Sequence, residues 1–177
     1  MRRLVDIDLL GDEQLQGQMA ADSLWILLGG TLVGVLGAAA FPHEPLSFLW
    51  FVLLGVVSVA VLPIHELVHA LAFKVASGGR ARITFGLSGW MLYTSSPDTV
   101  LPRRSFCAVL LAPSIVVTIA LGIGATLFGY PLLGWFAAII HLAGCTGDIG
   151  YVRIIGTEPL ANLVQDTERG IALFHDE

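Results

Sequence analysis

Charged side chains are scarce in this sequence of 177 residues: Asp, Glu, Lys and Arg make up 13%, whereas hydrophobic residues make up 55%. Soluble domains average about 25% charged and about 45 to 50% apolar residues. The shortage excludes an ordinary soluble domain and predicts a surface that faces something less polar than water. The length fits one domain, residues 1–177.

Cysteine and positive charge are also rare. Cys107 and Cys145 lack the CxxC spacing typical of metal or redox sites, so we interpret both as small apolar core residues. Nine Lys and Arg stand against fourteen Asp and Glu, which gives a net charge of -5. Because no basic stripe accompanies an aromatic platform, nucleic acid is excluded as an expected partner.

The apolar residues are gathered into four blocks, at approximately residues 24–41, 46–73, 106–127 and 131–155. A hydrocarbon core about 30 Å thick is crossed by roughly 20 helical residues, and all four blocks reach or approach that length. The sequence therefore predicts an all-α polytopic membrane protein with about four transmembrane helices. The alternative, a buried soluble bundle, requires polar faces at helical spacing, which the first and third blocks hardly offer.

The basic residues fall in segments that four spans would place on one side of a membrane. They are Arg2, Arg3, Lys74, Arg80, Arg82, Arg103, Arg104, Arg153 and Arg169. The positive-inside rule assigns that side to the cytoplasm, so we expect an integral cell-membrane protein with both termini cytoplasmic. The first 23 residues are expected to form a polar or amphipathic lead rather than a signal peptide. On the far side, His43 and Glu44 are expected only to solvate a turn.

The second block contains His65, Glu66 and His69 in the pattern HExxH. Residues four apart share one face of a helix, so the two imidazoles can bind one zinc ion. Zinc lowers the pKa of a bound water to about 7, and Glu66 is expected to act as the catalytic base. Ionisable groups inside a span cost at least about 2.5 kcal/mol each and are usually kept for function. The alternative is a metal-free motif at a helix end, because Lys74 follows His69 by only five residues.

A hydrolytic zinc site needs a third protein ligand, and the fourth block offers Asp148 and His141. Asp148 lies five residues before Arg153, about 8 Å if helical, just as His69 lies five residues before Lys74. His141 lies twelve residues before Arg153, or about 18 Å. Depth therefore favours Asp148, while His141 stays open as an alternative ligand, a donor behind the ligands or a packed core histidine.

Two further segments flank the predicted site. Three glycines surround Asp148 and predict either local unwinding of the helix or close helix packing. Between the second and third blocks, residues 82–94 predict one or two short strands in a cytoplasmic loop, to which an extended peptide could add by edge pairing. The alternative there is an interfacial loop anchored by Trp90 and Tyr93.

HELVH in one predicted span, LAPS in the next and TGDIGYV in a late span resemble the putative zincin peptidase family of small four-span membrane proteins. That family is similar to the site-2 intramembrane zinc metalloproteases. The resemblance covers roughly residues 45–160 and implies His65, His69 and Asp148 as zinc ligands and Glu66 as catalytic base. The sequence departs from the site-2 pattern by having GDI where those enzymes carry Asp-Gly.

These observations predict a zinc-dependent peptidase that cleaves peptides or membrane proteins within the bilayer or at its surface. Zn²⁺ is the expected cofactor, and the lipid bilayer is the expected surrounding. The alternative is a non-catalytic membrane protein that uses the same ligands for metal binding, transport or scaffolding. Transport favours ionisable groups along a path through several spans, and the sequence offers little beyond His141.

Overall fold

The computed structural model describes residues 1–8, 11–88, 91–97, 99–167 and 170–176. The predicted anchor Trp90 and the basic residue Arg169 lie outside these ranges. Within them the chain forms five helices and six short strands, so it is mostly helical.

Helix α1, Glu13–Ala40, begins well before the first apolar block. The side chain of Asp12 accepts hydrogen bonds from the N–H groups of Gln14 and Leu15 at 2.9 and 3.0 Å, which caps the helix. Ahead of it, Arg2–Asp8 form strand β1. The predicted polar lead therefore consists of a strand and the capped start of α1.

Helices α2, Phe48–Ala76, and α3, Arg103–Leu127, correspond to the second and third blocks. Each ends where glycine allows the chain to turn. Gly78 and Gly79 follow α2 with φ angles of 62° and 83°, and Gly129 follows α3 with φ of 84°. These left-handed conformations favour glycine, which has no Cβ to clash with the backbone.

The fourth block forms two helices rather than one. They are α4, Pro131–Gly144, and α5, Thr146–Thr157, and they are bent by 47° relative to each other. The break falls at Cys145, directly after Gly144, whose poor helix propensity weakens the helix there. The predicted unwinding near Asp148 thus takes the form of a sharp bend three residues before it.

Helices α1, α2 and α3 are each long and apolar enough to cross a membrane, and α4 with α5 adds a fourth crossing if counted as one span. Apolar side chains remain exposed along them: on α1, Trp25, Leu32 and Leu36 are 72%, 61% and 60% exposed. Apolar patches of this extent are rare on soluble monomers. The prediction of three to four spans is therefore confirmed by helix length and composition.

The described residues also contain a four-stranded antiparallel sheet, which the all-α prediction missed. Its strands follow the order β1-β6-β5-β4, where β4 is Val100–Pro102, β5 is Leu163–Thr167 and β6 is Gly170–His175. The first and last strands pair, with Arg2 opposite His175. Strands this short give little periodic signal, and their partners lie too far along the chain for local patterns to identify.

A separate hairpin confirms the strands predicted in the middle loop. Strands β2, Thr84–Ser88, and β3, Met91–Ser95, pair antiparallel. Strand β3 lies beside α2, where the hydroxyl of Thr94 donates a hydrogen bond of 2.9 Å to the backbone carbonyl of Glu66. The hairpin is thereby attached next to the HExxH motif.

A buried apolar cluster joins the four-stranded sheet to one end of the helices. Phe73 of α2, Phe106 of α3, Ile155 of α5 and Leu173 of β6 are at most 4% exposed within it. The rings of Phe73 and Phe106 meet edge to face with centroids 5.9 Å apart. The N-terminal, middle and C-terminal strands therefore lie at the same end of the helical bundle.

At the opposite end Glu44 is buried, so the expectation that it only solvates a turn was wrong. Its carboxylate accepts hydrogen bonds from Trp50 Nε1 at 2.8 Å and from the N–H groups of Leu133 and Leu132 at 2.7 and 3.2 Å. Burial alone would raise the pKa of Glu44, but these hydrogen bonds outweigh it and lower the pKa. Glu44 thus caps α4, whose own N-cap residue Tyr130 makes no side-chain bond.

Candidate metal centre

Helix α2 carries His65 and His69 one turn apart, with both rings turned toward the same point. Their Nε2 atoms lie 3.1 Å from each other, and the ring centroids are 4.7 Å apart. His69 is buried and His65 is half-buried. The spacing of the motif thus produces the paired imidazoles that helical geometry predicts.

Asp148 reaches the same point from the first turn of α5. Its Oδ2 atom lies 3.4 Å from His65 Nε2, and its Oδ1 atom lies 3.4 Å from His69 Nε2. The side chain of Asp148 is 17% exposed, so the carboxylate faces the two imidazoles with little competition from solvent. The structure therefore brings together the three residues that the sequence singled out as ligands.

The three donor atoms fit a metal ion both in chemistry and in spacing. His65, His69 and Asp148 form a group able to hold such an ion. Ligands at about 2.0 to 2.2 Å from a tetrahedral zinc ion lie roughly 3.3 to 3.6 Å from one another. The separations of 3.1 to 3.4 Å agree with that arrangement. Two histidines and one carboxylate also leave a fourth position open, as in hydrolytic zinc sites.

Helix α1 supports the bend that directs Asp148 toward α2. The hydroxyl of Ser23 donates a hydrogen bond of 2.7 Å to the carbonyl of Ala143, just before the break. The same hydroxyl lies 2.7 Å from Thr146 Oγ1, just after the break. These contacts satisfy polar groups that the interrupted helix leaves without helical partners.

A backbone carbonyl holds the ring of His69. Its Nδ1 atom lies 3.1 Å from the carbonyl oxygen of Val109 on α3, which can only accept a hydrogen bond. The proton of a neutral His69 therefore lies on Nδ1, and Nε2 keeps a lone pair facing Asp148. Metal-binding histidines are commonly oriented in this way.

His141 lies behind His65, outside the group that contains Asp148. Its Nε2 atom is 3.1 Å from His65 Nδ1, and its Nδ1 atom is 2.9 Å from Thr118 Oγ1. With His65 and Cys145 it forms a second group of metal-binding atom types. Cys145 is thus a neighbour of the centre, although its sequence context indicated only core packing.

Glu66 lies between the two histidines in sequence, and its side chain is half-buried. Among the described residues, no hydrogen bond to its carboxylate is seen, whereas its backbone carbonyl is held by Thr94. The carboxylate is therefore available to a molecule that enters the centre.

Asp166 of β5 fastens the hairpin to the four-stranded sheet, although the sequence suggested no partner for it. Its Oδ2 atom accepts hydrogen bonds from Ser95 Oγ at 2.7 Å and from the N–H of Ser96 at 2.6 Å. Burial raises the pKa of Asp166 despite the opposing effect of these hydrogen bonds. The hairpin is thus held at both α2 and β5.

Sequence reasoning missed Ser23, Thr94 and the orienting contacts behind the histidines. Ser23 lies 120 residues from Ala143, and Thr94 lies 28 residues from Glu66, so no local spacing connects them. Thr118 carried a weak signal, because a hydroxyl inside an apolar block needs a partner.

Comparison with known families places these residues in context. The family described as putative zincin peptidase matches residues 58–161, which is more than half of the chain. The matched range contains HExxH, Asp148 and His141, whereas α1 with Ser23 lies before it. Neither the curated proteins nor the solved structures yielded a match. The extent of the family match and the residues inside it show that the chain belongs to the putative zincin peptidase family.

Proposed function

We propose that this protein is a zinc-dependent endopeptidase that hydrolyses peptide bonds within the membrane or at its surface. One observation carries the proposal: His65, His69 and Asp148 converge with donor separations of 3.1 to 3.4 Å, beside Glu66, on helices long and apolar enough to span a bilayer. Ionisable groups in such segments are usually retained for function.

The residues support hydrolysis by an activated water. His65, His69 and Asp148 would hold zinc, which when bound polarises a peptide carbonyl and makes water easier to deprotonate. Glu66 takes a proton from the attacking water as its oxygen adds to the carbonyl carbon. Glu66 then delivers that proton to the leaving nitrogen as the C–N bond breaks.

The hairpin supports an extended peptide or a membrane-protein segment as substrate. Strand β3 contacts α2 at Glu66, and exposed apolar side chains such as Phe85 and Leu87 extend along β2. A peptide that paired with an open edge of this hairpin would have its backbone extended, as required for attack on a carbonyl. The basic residues favour a cytoplasmic position for this end of the bundle.

The decisive experiment compares zinc content and cleavage of a membrane-tethered peptide in wild type and Glu66→Gln. The amide keeps the size of the side chain but cannot accept the proton from water. We expect the variant to retain zinc and to lose cleavage by at least about 100-fold, the lower range for a lost general base. Glu13→Gln, an exposed glutamate on α1, is the matched control and should cleave like wild type.

The outcomes separate hydrolysis from the alternative roles. Cleavage that persists at the wild-type rate in Glu66→Gln would remove Glu66 from the mechanism. Wild-type protein that binds zinc tightly but cleaves none of a diverse set of tethered peptides would favour a metal-binding or scaffolding role. Absence of zinc from carefully prepared wild type would overturn the site itself.

A further inference from the structure

The two histidines of the motif are supported by different groups. His69 donates its Nδ1 proton to the backbone carbonyl of Val109, which no side-chain substitution removes. His65 has its Nδ1 atom 3.1 Å from the Nε2 atom of His141, a side chain 6% exposed. One candidate ligand is therefore oriented by the backbone, and the other by a replaceable imidazole.

The hydrogen-bond directions follow from the part that His65 plays in the proposed site. If Nε2 of His65 faces a metal, that atom must carry a lone pair, and the proton of the neutral ring lies on Nδ1. His141 must then accept this proton at Nε2 and carry its own proton on Nδ1. That second proton faces Thr118 Oγ1 at 2.9 Å, so the chain of donors and acceptors is complete.

Cys145 does not fit as a ligand in a second metal site. Its Sγ atom is 3.8 Å from Nε2 and 3.9 Å from Nδ1 of His141, so it lies along neither lone pair of that ring. Its thiol donates instead to the backbone carbonyl of His141 at 3.2 Å. The short His65–His141 contact is therefore a hydrogen bond between rings rather than one edge of another metal triangle.

Resting on the proposed zinc site, we propose that His141 is a positioning residue that holds His65 in the tautomer and orientation needed to bind the metal. Thr118 fixes the tautomer of His141 in turn. The matched substitutions are His141→Gln, whose carbonyl oxygen can still accept from His65, and His141→Leu, which fills the site without an acceptor.

The test measures zinc affinity by chelator competition and the absorption spectrum of the cobalt-loaded protein, so it does not depend on activity. Loss of a partner behind a metal ligand typically weakens binding about 10- to 100-fold, which we expect for His141→Leu together with a changed cobalt spectrum. His141→Gln should restore affinity to within about 3-fold of wild type. Cys145→Ala should bind like wild type.

Each result bears on a separate statement. Equal affinity and equal spectra in wild type and His141→Leu would overturn the positioning role while leaving the peptidase proposal intact. An equal loss in Cys145→Ala and His141→Leu would overturn it in favour of a second ligand set. If His141→Leu does not fold, Thr118→Val tests the next link and should weaken zinc binding with a shifted cobalt spectrum; wild-type behaviour there contradicts the relay. Wild type without zinc affinity would contradict the proposed function instead.

Discussion

Asp148 is the residue that turns two motif histidines into a three-donor centre. Each of its carboxylate oxygens faces a different imidazole at 3.4 Å. Without it, His65 and His69 would offer a zinc ion two neutral nitrogens and no charge to offset the dication. A buried ion is held only when charge and coordination are both satisfied.

Asp148→Asn should therefore lower zinc affinity by more than the roughly 10- to 100-fold typical of an outer contact, because it removes both the charge and a donor oxygen. Zinc affinity measured by chelator competition checks this prediction. Asp166→Asn is the matched control, since Asp166 is a second aspartate in a hydrogen-bonded site that does not face the histidines. Equal affinity in both variants would argue against Asp148 as a ligand.

The bend between α4 and α5 determines where Asp148 can reach. A straight helix through residue 145 would carry the start of α5 along the axis of α4, whereas the 47° bend redirects it. Ser23 supports this bend from α1 through the carbonyl of Ala143 and the hydroxyl of Thr146. Helix α1 is thereby linked to the metal centre without contributing a ligand.

Ser23→Ala should destabilise the protein by about 0.5 to 1.5 kcal/mol, the usual worth of a lost hydrogen bond, and should weaken zinc binding modestly. Thermal unfolding in detergent and chelator competition measure the two effects. Ser58→Ala provides the control, because Ser58 bonds only within α2, to the carbonyl of Leu54 at 2.8 Å. A variant of Ser23 that unfolds and binds zinc like Ser58→Ala would show that the bend needs no support from α1.

Glu44 caps α4 from the opposite end of the bundle, so its charge contributes to stability in a pH-dependent way. Its pKa is lower in the folded state, and the contribution is therefore complete above the unfolded pKa and lost as pH falls through the folded pKa. Glu44→Gln should cost about 1 to 3 kcal/mol near pH 7. Thermal unfolding of both proteins should converge in acid, while a difference independent of pH would contradict the role of the charge.

The arrangement of helices and strands gives the whole molecule two distinct ends. Strands β1, β4, β5 and β6 form one sheet at the end beyond Lys74, whereas Pro45 and the turn at Gly129 lie at the other. An even number of crossings is what allows the first and last strands to pair. The positive-inside rule then favours the sheet end as cytoplasmic.

Single cysteines at Pro45 and Arg80 test this orientation with a membrane-impermeant reagent. Both positions are exposed, and Cys145 is fully buried, so a background with Cys107→Ala should react little. We expect residue 45 to react in intact cells and residue 80 only after permeabilisation. The reverse pattern would invert the orientation, and reaction of both in intact cells would contradict the separation of the ends.

Local patterns were sufficient for much of the centre because its chemistry is locally encoded. HExxH sets two imidazoles on one helix face, and equal distances from Lys74 and Arg153 pointed to Asp148 rather than His141. The supporting contacts were not predictable in this way. Ser23 with Ala143 and Glu44 with Leu133 join residues far apart in sequence, where no helical or strand period applies.

The sequence alone therefore determined the number of apolar segments, the motif and its nearest carboxylate, since these depend on composition and on the 3.6-residue period of a helix. Only the tertiary structure decided that the terminal strands form a sheet, that α4 and α5 bend at Cys145 and that His141 supports His65. Those features depend on which distant segments pack together. Packing satisfies buried polar groups between elements, and periodicity within one element carries no record of that choice.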